Sequence, residues 1–396
     1  MSAPLRAGQV GKKRLDPVRL LVALAVLAGA LVAAGCGSSS SSSSSKVTSQ
    51  NGPELHATVL EKEVAATKPS LEAVDVKLGK HTVSYAKGEP LNIALIGYGK
   101  GFDYTVPQYA AASDVAKEMG LQVTQFDPQA DPQLEVTQIQ SIFNSGKYNA
   151  MVVYPIASDV DCSLLTEQAP EKGIAVISIG YPACSNEGAT PGLVTAIPDT
   201  PDRGTYTSWA ERIVELTKKP SQQKALIVTG PKLDYEAALA AEVFEEKFGE
   251  AGIKINQIID TDYTQTGSLP KVQDALQSNP DTTMIVDQFP EGTAATLTAL
   301  KIAGKSGDID VYGWGANAPS VKAIEDGTLK MAVPYYPYTN VRAALQALQL
   351  MRDGKRVPPY LPYAGHAAES MRTPGAKALF VEPDNVKEYA KRVEEY

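Results

Sequence analysis

Histidine and cysteine are scarce in this sequence, with three of each among 396 residues. The histidines, His56, His81 and His366, are scattered and show no spacing that suits a metal site. The Gly-x-Ser-x-Gly turn that presents a nucleophilic serine in α/β hydrolases does not occur. We therefore expect no metal, no cofactor and no enzymatic activity. Carboxylates are plentiful, and a catalytic acid–base pair formed by two of them is the alternative.

Basic residues are also fewer than acidic residues. Thirty-seven Lys and Arg residues face 45 Asp and Glu residues, a formal net charge of −8. A chain of this sign repels phosphate backbones, so no nucleic-acid partner is expected. Long apolar runs are missing too: Leu20–Val32, at 13 residues, is too short for a membrane-spanning helix.

The short apolar run lies in an export signal. Five basic residues precede it, and three small residues follow it directly before Cys36. This order is that of a signal peptide. The small residues before the cysteine resemble the bacterial lipobox, in which the cysteine becomes acylated. Residues 1–35 are predicted to be a lipoprotein signal peptide and Cys36 the lipidated residue; the alternative is an ordinary secretory peptide cut near Ala34.

Residues 36–89 are predicted to be a Ser-rich tether and N-terminal extension. The serine run Ser38–Ser45 cannot bury a core and behaves as a flexible linker. A short extended piece is expected within Val74–Tyr85. Acyl chains on Cys36 would hold the exported protein on the outer face of the bacterial cytoplasmic membrane, or in the periplasm.

Two cysteines, Cys162 and Cys184, remain after the signal region. An exported chain meets an oxidising compartment, and both residues follow neighbouring predicted strands, so a disulfide is expected. Closing a loop of about 20 residues would stabilise the fold by about 3 kcal/mol. The alternative is two free buried thiols.

From residue 91 onward, short apolar runs alternate with helical patterns. This alternation predicts an α/β fold with parallel sheets, in two successive halves. The predicted strands are 91–96, 121–126, 150–154, 174–179, 193–197, 224–229, 253–259, 283–286, 310–313 and 330–333.

Several segments resemble the type I periplasmic binding proteins, the sugar-binding group that includes ribose-binding protein. They are LNIALI with its aromatic loop, QSIFNSGKYNAMVVYPIASDV, EKGIAVISIGYP and TALKIAGKSGDIDVYGWG with APSVKAIEDGTLKMAV. The resemblance covers about residues 90–363. It implies two doubly wound parallel-sheet lobes joined by a three-strand hinge. Lobe 1 would be 90–197 plus 335–363, lobe 2 198–334 plus 364–396, and the hinges would lie near Ala196–Asp199, Val333–Tyr335 and Leu361–Ala364.

The resemblance also implies a function. Such a protein is the substrate-binding lipoprotein of an ABC importer, a monomer that captures a small molecule and delivers it to a permease. The alternative is a sensory lipoprotein, whose partner is a receptor rather than a permease. The Gly97-x-Gly99 pair resembles a dinucleotide fingerprint, but position 102 is Phe where the third glycine is required.

The sequence departs from the sugar binders at positions that hold polar ligand-binding side chains in that group. These positions are Gly180, Tyr181, Ala238, Phe289, Gly315 and Tyr335. A buried sugar hydroxyl without a partner costs about 1–3 kcal/mol. A pentose held in the group's usual way is therefore not expected.

An aromatic-rich cleft takes the place of those polar positions. Aromatic faces stack on sugar rings and on planar ligands, and they attract cations. The predicted solute is a sugar or sugar-like molecule, and the alternative is an aromatic or cationic solute. The predicted ligand-binding residues are Phe102, Tyr181, Phe289, Trp314, Tyr335, Tyr98, Tyr104 and Tyr154, with Asp103, Asp234, Asp287 and Gln288 as polar candidates and Tyr336 and Glu291 nearby.

Overall fold

The computed structural model describes residues 71–78, 80–181, 183–184, 194–196, 203–232, 234–357, 360–361 and 380–392. The predicted signal peptide, Cys36 and the serine tether lie outside these residues. Two of the three predicted hinges, near Ala196–Asp199 and Leu361–Ala364, fall mostly outside them as well. Within the described residues, no helix is both long enough and apolar enough to cross a membrane.

The first lobe is built on a six-stranded parallel sheet with the strand order β4-β3-β5-β6-β7-β13. The central strands are buried on both faces, and Ile93, Leu95 and Val152 have no exposed surface. The elements are β3 (Asn92–Ile96), α1 (Val106–Met119), β4 (Gln122–Phe126), α2 (Pro132–Ser145), β5 (Ala150–Val153), α3 (Ser158–Ser163), a π-helical turn (Leu164–Gln168), α4 (Ala169–Glu171), β6 (Ala175–Ser178), β7 (Val194–Ala196) and β13 (Tyr360–Leu361).

The second lobe is built on a five-stranded parallel sheet with the order β12-β11-β10-β8-β9. An isolated antiparallel bridge between Ala332 and Val381 adds the C-terminal segment beside β12. The elements are α5 (Arg203–Leu216), a 3-10 turn (Pro220–Gln222), β8 (Lys224–Thr229), α6 (Tyr235–Ala251), β9 (Lys254–Asp260), α7 (Gln265–Ser278), β10 (Met284–Asp287), α8 (Pro290–Ile302), β11 (Asp310–Gly315), α9 (Ala318–Glu325), β12 (Met331–Pro334) and α11 (Val386–Arg392).

The chain passes between the two lobes three times. It leaves the first sheet after β7, returns after β12, and leaves again after β13 toward the bridge at Val381. On its return it forms α10 (Pro337–Arg352), which packs on α1 and joins the core of the first lobe. The predicted α/β architecture of two doubly wound parallel-sheet lobes is confirmed.

A β-hairpin precedes the first sheet, where the sequence predicts only a short extended piece in the N-terminal extension. Strands β1 (Ala73–Leu78) and β2 (His81–Ala86) pair antiparallel. Alternate residues of both strands are buried in the core of the first lobe. Tyr85 anchors the hairpin, because its hydroxyl donates to the Asn149 carbonyl and accepts from the Ala175 amide at 3.2 Å.

The predicted disulfide is present and joins Cys162 in α3 to Cys184 after β6. The helical patterns at Leu269–Gln277 and Val341–Arg352 predict helices that in the structure begin four residues earlier. Helix α7 starts after Thr264, whose hydroxyl accepts the Gly267 amide at 3.0 Å, and it contains Pro270. Helix α10 starts at Pro337, a residue whose fixed φ suits a first helical position.

Candidate functional site

The ligand cleft is expected at the switch points of the two sheets. In each lobe the first strand lies between the second and the third, so the connections leave it in opposite directions: β3 lies between β4 and β5, and β8 lies between β9 and β10. In open α/β sheets, ligands bind at the carboxyl ends of strands at such a point. The segments after β3, β5, β8 and β10, the strands on either side of the two switch points, meet between the lobes.

A cavity of about 50 Å³ lies where these loops meet. This volume holds about three or four water molecules. A solute the size of a monosaccharide can therefore enter only when the lobes separate. The lining residues are Tyr98, Phe102, Tyr104, Thr105, Tyr154, Tyr181, Glu236, Tyr263, Gln288, Phe289, Pro290, Glu291 and Tyr335.

Two glycines let tyrosine rings lie flat against the main chain beside this cavity. Gly180 has a φ of +69°, and a Cβ there would collide with the ring of Tyr154. A Cβ at Gly230 would collide with the ring of Tyr263 in the same way. Each lobe thus contributes a tyrosine seated on a glycine, and a side chain at either glycine would push a tyrosine into the cavity.

Asp234 joins the two lobes. It caps α6 by accepting the amides of Glu236 and Ala237, and it accepts the Tyr263 hydroxyl at 2.6 Å. The Tyr181 hydroxyl, from the first lobe, donates to its two carboxylate oxygens at 2.9 and 3.1 Å. Burial raises the pKa of this carboxyl, and the hydrogen bonds from Tyr263, Tyr181 and the two amides oppose that shift.

Glu236, two residues further along, forms part of the cavity wall and is 6% exposed. Its carboxylate accepts the Tyr335 hydroxyl at 3.1 Å and the Gln288 amide nitrogen at 3.4 Å. Gln288 in turn accepts the Gly230 amide at 3.1 Å and donates to the Tyr206 hydroxyl at 3.1 Å. This network fixes the carboxylate of Glu236 at the base of the cavity.

Glu291 also lines the cavity, from the first turn of α8. It accepts the main-chain amide of Asp103, from the first lobe, at 3.2 Å. Burial raises the pKa of Glu291 to about 7, and the neighbouring charge of Asp103 adds to the shift. A second hydrogen bond between the lobes therefore ends on a carboxyl group.

The tyrosines of the cavity are neutral hydrogen-bonding groups at all physiological pH values. Burial raises the pKa of Tyr154, Tyr181, Tyr263 and Tyr335 well above 10, and the charge of Glu236 raises it further. The charge of Asp234 adds to the shift for all of them except Tyr335. The rings contact one another edge to face, with Tyr98 centred 5.3 Å from Phe102 and 5.4 Å from Tyr154. The cavity offers phenol hydroxyls, ring faces and two carboxyl groups.

A family model for the periplasmic binding protein domain matches residues 93–356 of the sequence. The chain belongs to the periplasmic binding protein family. This family model covers both lobes and the loops that form the cavity. No curated protein has a sequence that matches the chain significantly.

Solved structures show the same fold. An ABC transporter solute binding protein from Mycobacterium smegmatis, with bound glycerol, is 19% identical, with a TM-score of 0.62 over 76% of this chain and 96% of that one. Another from Bacillus halodurans C-125, with bound myo-inositol, is 15% identical, with a TM-score of 0.63 over 78% and 99%. A third, from Burkholderia graminis C4D1M in complex with D-arabinose, is 16% identical, with a TM-score of 0.63 over 76% and 99%.

In this periplasmic binding protein, eight of the twelve predicted ligand-binding residues line one cavity. The other four lie around it. Trp314 lies behind the wall, stacked on Tyr206 at 5.0 Å with its ring centre 5.3 Å from that of Tyr335. Asp287 is fully buried and accepts the Thr296 hydroxyl at 2.7 Å. Asp234 bridges the lobes and Asp103 lies at the mouth. The residues that line the cavity are Phe102, Tyr181, Phe289, Tyr335, Tyr98, Tyr104, Tyr154 and Gln288.

Sequence reasoning missed two prominent lining residues of the binding protein, Glu236 and Tyr263. Tyr263 follows β9, a strand end to which the sequence analysis assigned no ligand-binding residue, although the same reasoning applied to the other strands would have selected it. Glu236 lies in the first turn of α6, where an acidic side chain is explained equally well by the helix dipole. No group of His, Cys, Asp or Glu residues in the described part of the chain has a geometry that suits a metal ion.

Proposed function

We propose that this protein is the substrate-binding lipoprotein of an ABC importer, which captures a small sugar-like solute between its lobes and delivers it to a permease. The observation that carries the proposal is the cavity at both switch points, lined by tyrosines from both lobes. The bound inositol, arabinose and glycerol in proteins of the same fold support a polyhydroxylated solute.

The mechanism is a population shift between open and closed lobes. A solute that contacts both lobes stabilises the closed state, by as much as its affinities for the two states differ. Ring faces such as that of Tyr98 would cover the apolar side of the solute, and phenol hydroxyls such as that of Tyr335 would pair with its hydroxyl groups. The bound solute undergoes no chemical change, so no turnover is expected.

The ligand-binding set comprises the eight predicted residues that line the cavity together with Glu236, Tyr263 and Glu291. Trp314 would support Tyr335 from behind, Asp234 would hold Tyr181 and Tyr263 in place, and Asp103 would contribute at the mouth. The lobe boundaries proposed are 90–197 plus 335–363 and 198–334 plus 364–396. Acylation of Cys36 would tether a monomer to the outer face of the cytoplasmic membrane through the serine run.

A thermal-shift titration tests this function. Purified protein is heated with myo-inositol, D-arabinose, D-ribose, D-glucose, D-galactose or glycerol. A ligand at 100 times its Kd adds about 2.7 kcal/mol to the unfolding free energy. Tyr98→Ala should abolish the shift, and Tyr148→Ala, which removes a half-buried tyrosine outside the cavity, should keep it. If no sugar or polyol shifts the melting temperature, or if Tyr98→Ala responds like the parent, the proposed site is wrong.

A further inference from the structure

Acidic side chains lie in and behind the wall of the interlobe cavity. Two glutamates, Glu236 and Glu291, lie in its wall, and none of the lining residues in the described part of the chain is Lys, Arg or His. Asp234 lies directly behind the wall, bonded to the lining tyrosines Tyr181 and Tyr263. A neutral sugar can donate its hydroxyls to such carboxyl groups, but it supplies no positive charge.

The acidic groups come from the starts of two helices of the second lobe. Asp234 and Glu236 lie at the start of α6, and Glu291 lies in the first turn of α8. The main-chain amides at these helix starts offset part of the negative charge. Glu236 accepts hydrogen bonds from Tyr335 and Gln288, two neutral groups that orient its carboxylate.

The remaining wall is aromatic. Ring faces attract cations, and the attraction grows when the site is closed off from water. Tyr98 is the centre of the group, with Tyr181 at 6.3 Å and Tyr263 at 6.4 Å between ring centres. Rings from both lobes therefore surround the same space as the carboxylates, an arrangement that favours a positively charged group over a neutral one.

Asp103 and Glu291 are acidic residues of different lobes in direct contact, Asp103 exposed to solvent and Glu291 half-buried. Asp103 of the first lobe approaches Glu291 of the second, with its amide 3.2 Å from a Glu291 oxygen. Burying carboxylates away from water is costly unless an opposite charge compensates them. A cation between the lobes would supply that compensation and would favour the closed state.

We infer that the solute is a sugar-like molecule that carries a protonated amine, with the amine directed at Glu236 and Glu291 and the carbon frame against the tyrosines. This inference rests on the proposed function, because it assumes that the cavity binds the transported solute. It narrows the ligand class to amino sugars and amino-substituted cyclitols.

Matched pairs of ligands test the charge without changing the ring. Isothermal titration of the purified protein compares glucosamine with glucose, galactosamine with galactose, and an amino-substituted inositol with myo-inositol. We expect the amine of at least one pair to bind tenfold or more tightly than its neutral partner. If neutral sugars bind as tightly as the amines, the inference fails and the proposed function stands. If no member of any pair binds, the proposed function fails and the inference with it.

A variant that keeps the shape and removes the charge identifies the carboxylate responsible. Glu236→Gln should weaken binding of the amine at least tenfold more than it weakens binding of the neutral partner. Glu250→Gln, on the same helix and paired with Lys247, changes the net charge equally and should bind like the parent. Glu291→Gln, at a half-buried position, provides a second test should Glu236→Gln fold poorly. Equal loss of amine and neutral sugar in both cavity variants would overturn the inference.

Discussion

Asp287 is an ionisable residue enclosed by the core of the second lobe. It ends β10 with no exposed surface and accepts one hydrogen bond, from the Thr296 hydroxyl at 2.7 Å. Within the described residues its second oxygen, Oδ2, has no hydrogen-bond partner. Burial raises the pKa of this carboxyl to about 8. The folded protein therefore keeps a proton that the unfolded chain releases near pH 4.

The Asp287→Asn variant should remove a pH dependence of stability. Between about pH 4 and pH 8 the folded state binds the extra proton, so the unfolding free energy of the parent falls as pH rises, by up to about 1.4 kcal/mol per pH unit. The variant lacks this group, and its stability relative to the parent should increase across that range. Urea unfolding at pH 5, 7 and 9 measures the difference. A constant difference between the two proteins at all three pH values would contradict the assignment.

For individual residues, the sequence predicts the position at a strand end better than it predicts the role of the side chain. Aromatic residues such as Tyr154 and Phe289 could be assigned to the cleft because parallel strands end at one edge of a sheet. The sequence could not distinguish Trp314 or Asp287 from them, because both also end strands. Whether such a residue points into the cavity or into the core is decided by packing against α5 and α8, and that packing depends on residues distant in the sequence.

The disulfide joins two segments of the first lobe, and the length of the loop it closes gives an estimate of its contribution to stability. Cys162 in α3 and Cys184 after β6 are 22 residues apart in sequence. A loop of this length is expected to stabilise the folded state by about 3 kcal/mol through the lost freedom of the unfolded chain. The bridge fixes the segment after β6, where Tyr181 reaches toward the second lobe.

Reduction should therefore lower the unfolding free energy by about 3 kcal/mol. Urea unfolding with and without dithiothreitol measures this change. A Cys162→Ser/Cys184→Ser variant provides the control, since its stability should match that of the reduced parent and should not respond to the reductant. If reduction leaves the parent unchanged, the bridge contributes nothing to stability.

Element boundaries were predicted least well where the contacts that define them are tertiary. The β1–β2 hairpin is stabilised by the burial of residues such as Val76 and by the hydrogen bonds of Tyr85 to the first sheet. None of these partners is near it in sequence, so local pattern alone gives only a short extended piece. The strands of the two sheets could be predicted from local pattern, because their apolar runs are bounded by Gly or Pro. Their order in the sheets follows the family resemblance.

The whole molecule works through the relative position of its lobes, and Tyr181 holds a direct hydrogen bond between them. Its hydroxyl, from the first lobe, donates to Asp234 of the second at 2.9 Å. Tyr263 donates to the same carboxylate at 2.6 Å but belongs to the second lobe itself. Tyr181 and Tyr263 form a matched pair, because both hydroxyls donate to the same carboxylate while the two residues belong to different lobes.

Removing the Tyr181 hydroxyl, which donates to the other lobe, should favour the open form of the molecule. Removing the Tyr263 hydroxyl should not. A hydrogen bond to a charged group contributes about 1.5–3 kcal/mol. Loss of the bond in Tyr181→Phe should therefore shift the equilibrium toward open lobes about tenfold or more. Small-angle X-ray scattering should detect a larger radius of gyration than in the parent. Tyr263→Phe loses a bond within one lobe and should keep the radius of the parent, although its melting temperature falls. If both variants scatter like the parent, or both expand equally, then the Tyr181–Asp234 bond does not control closure.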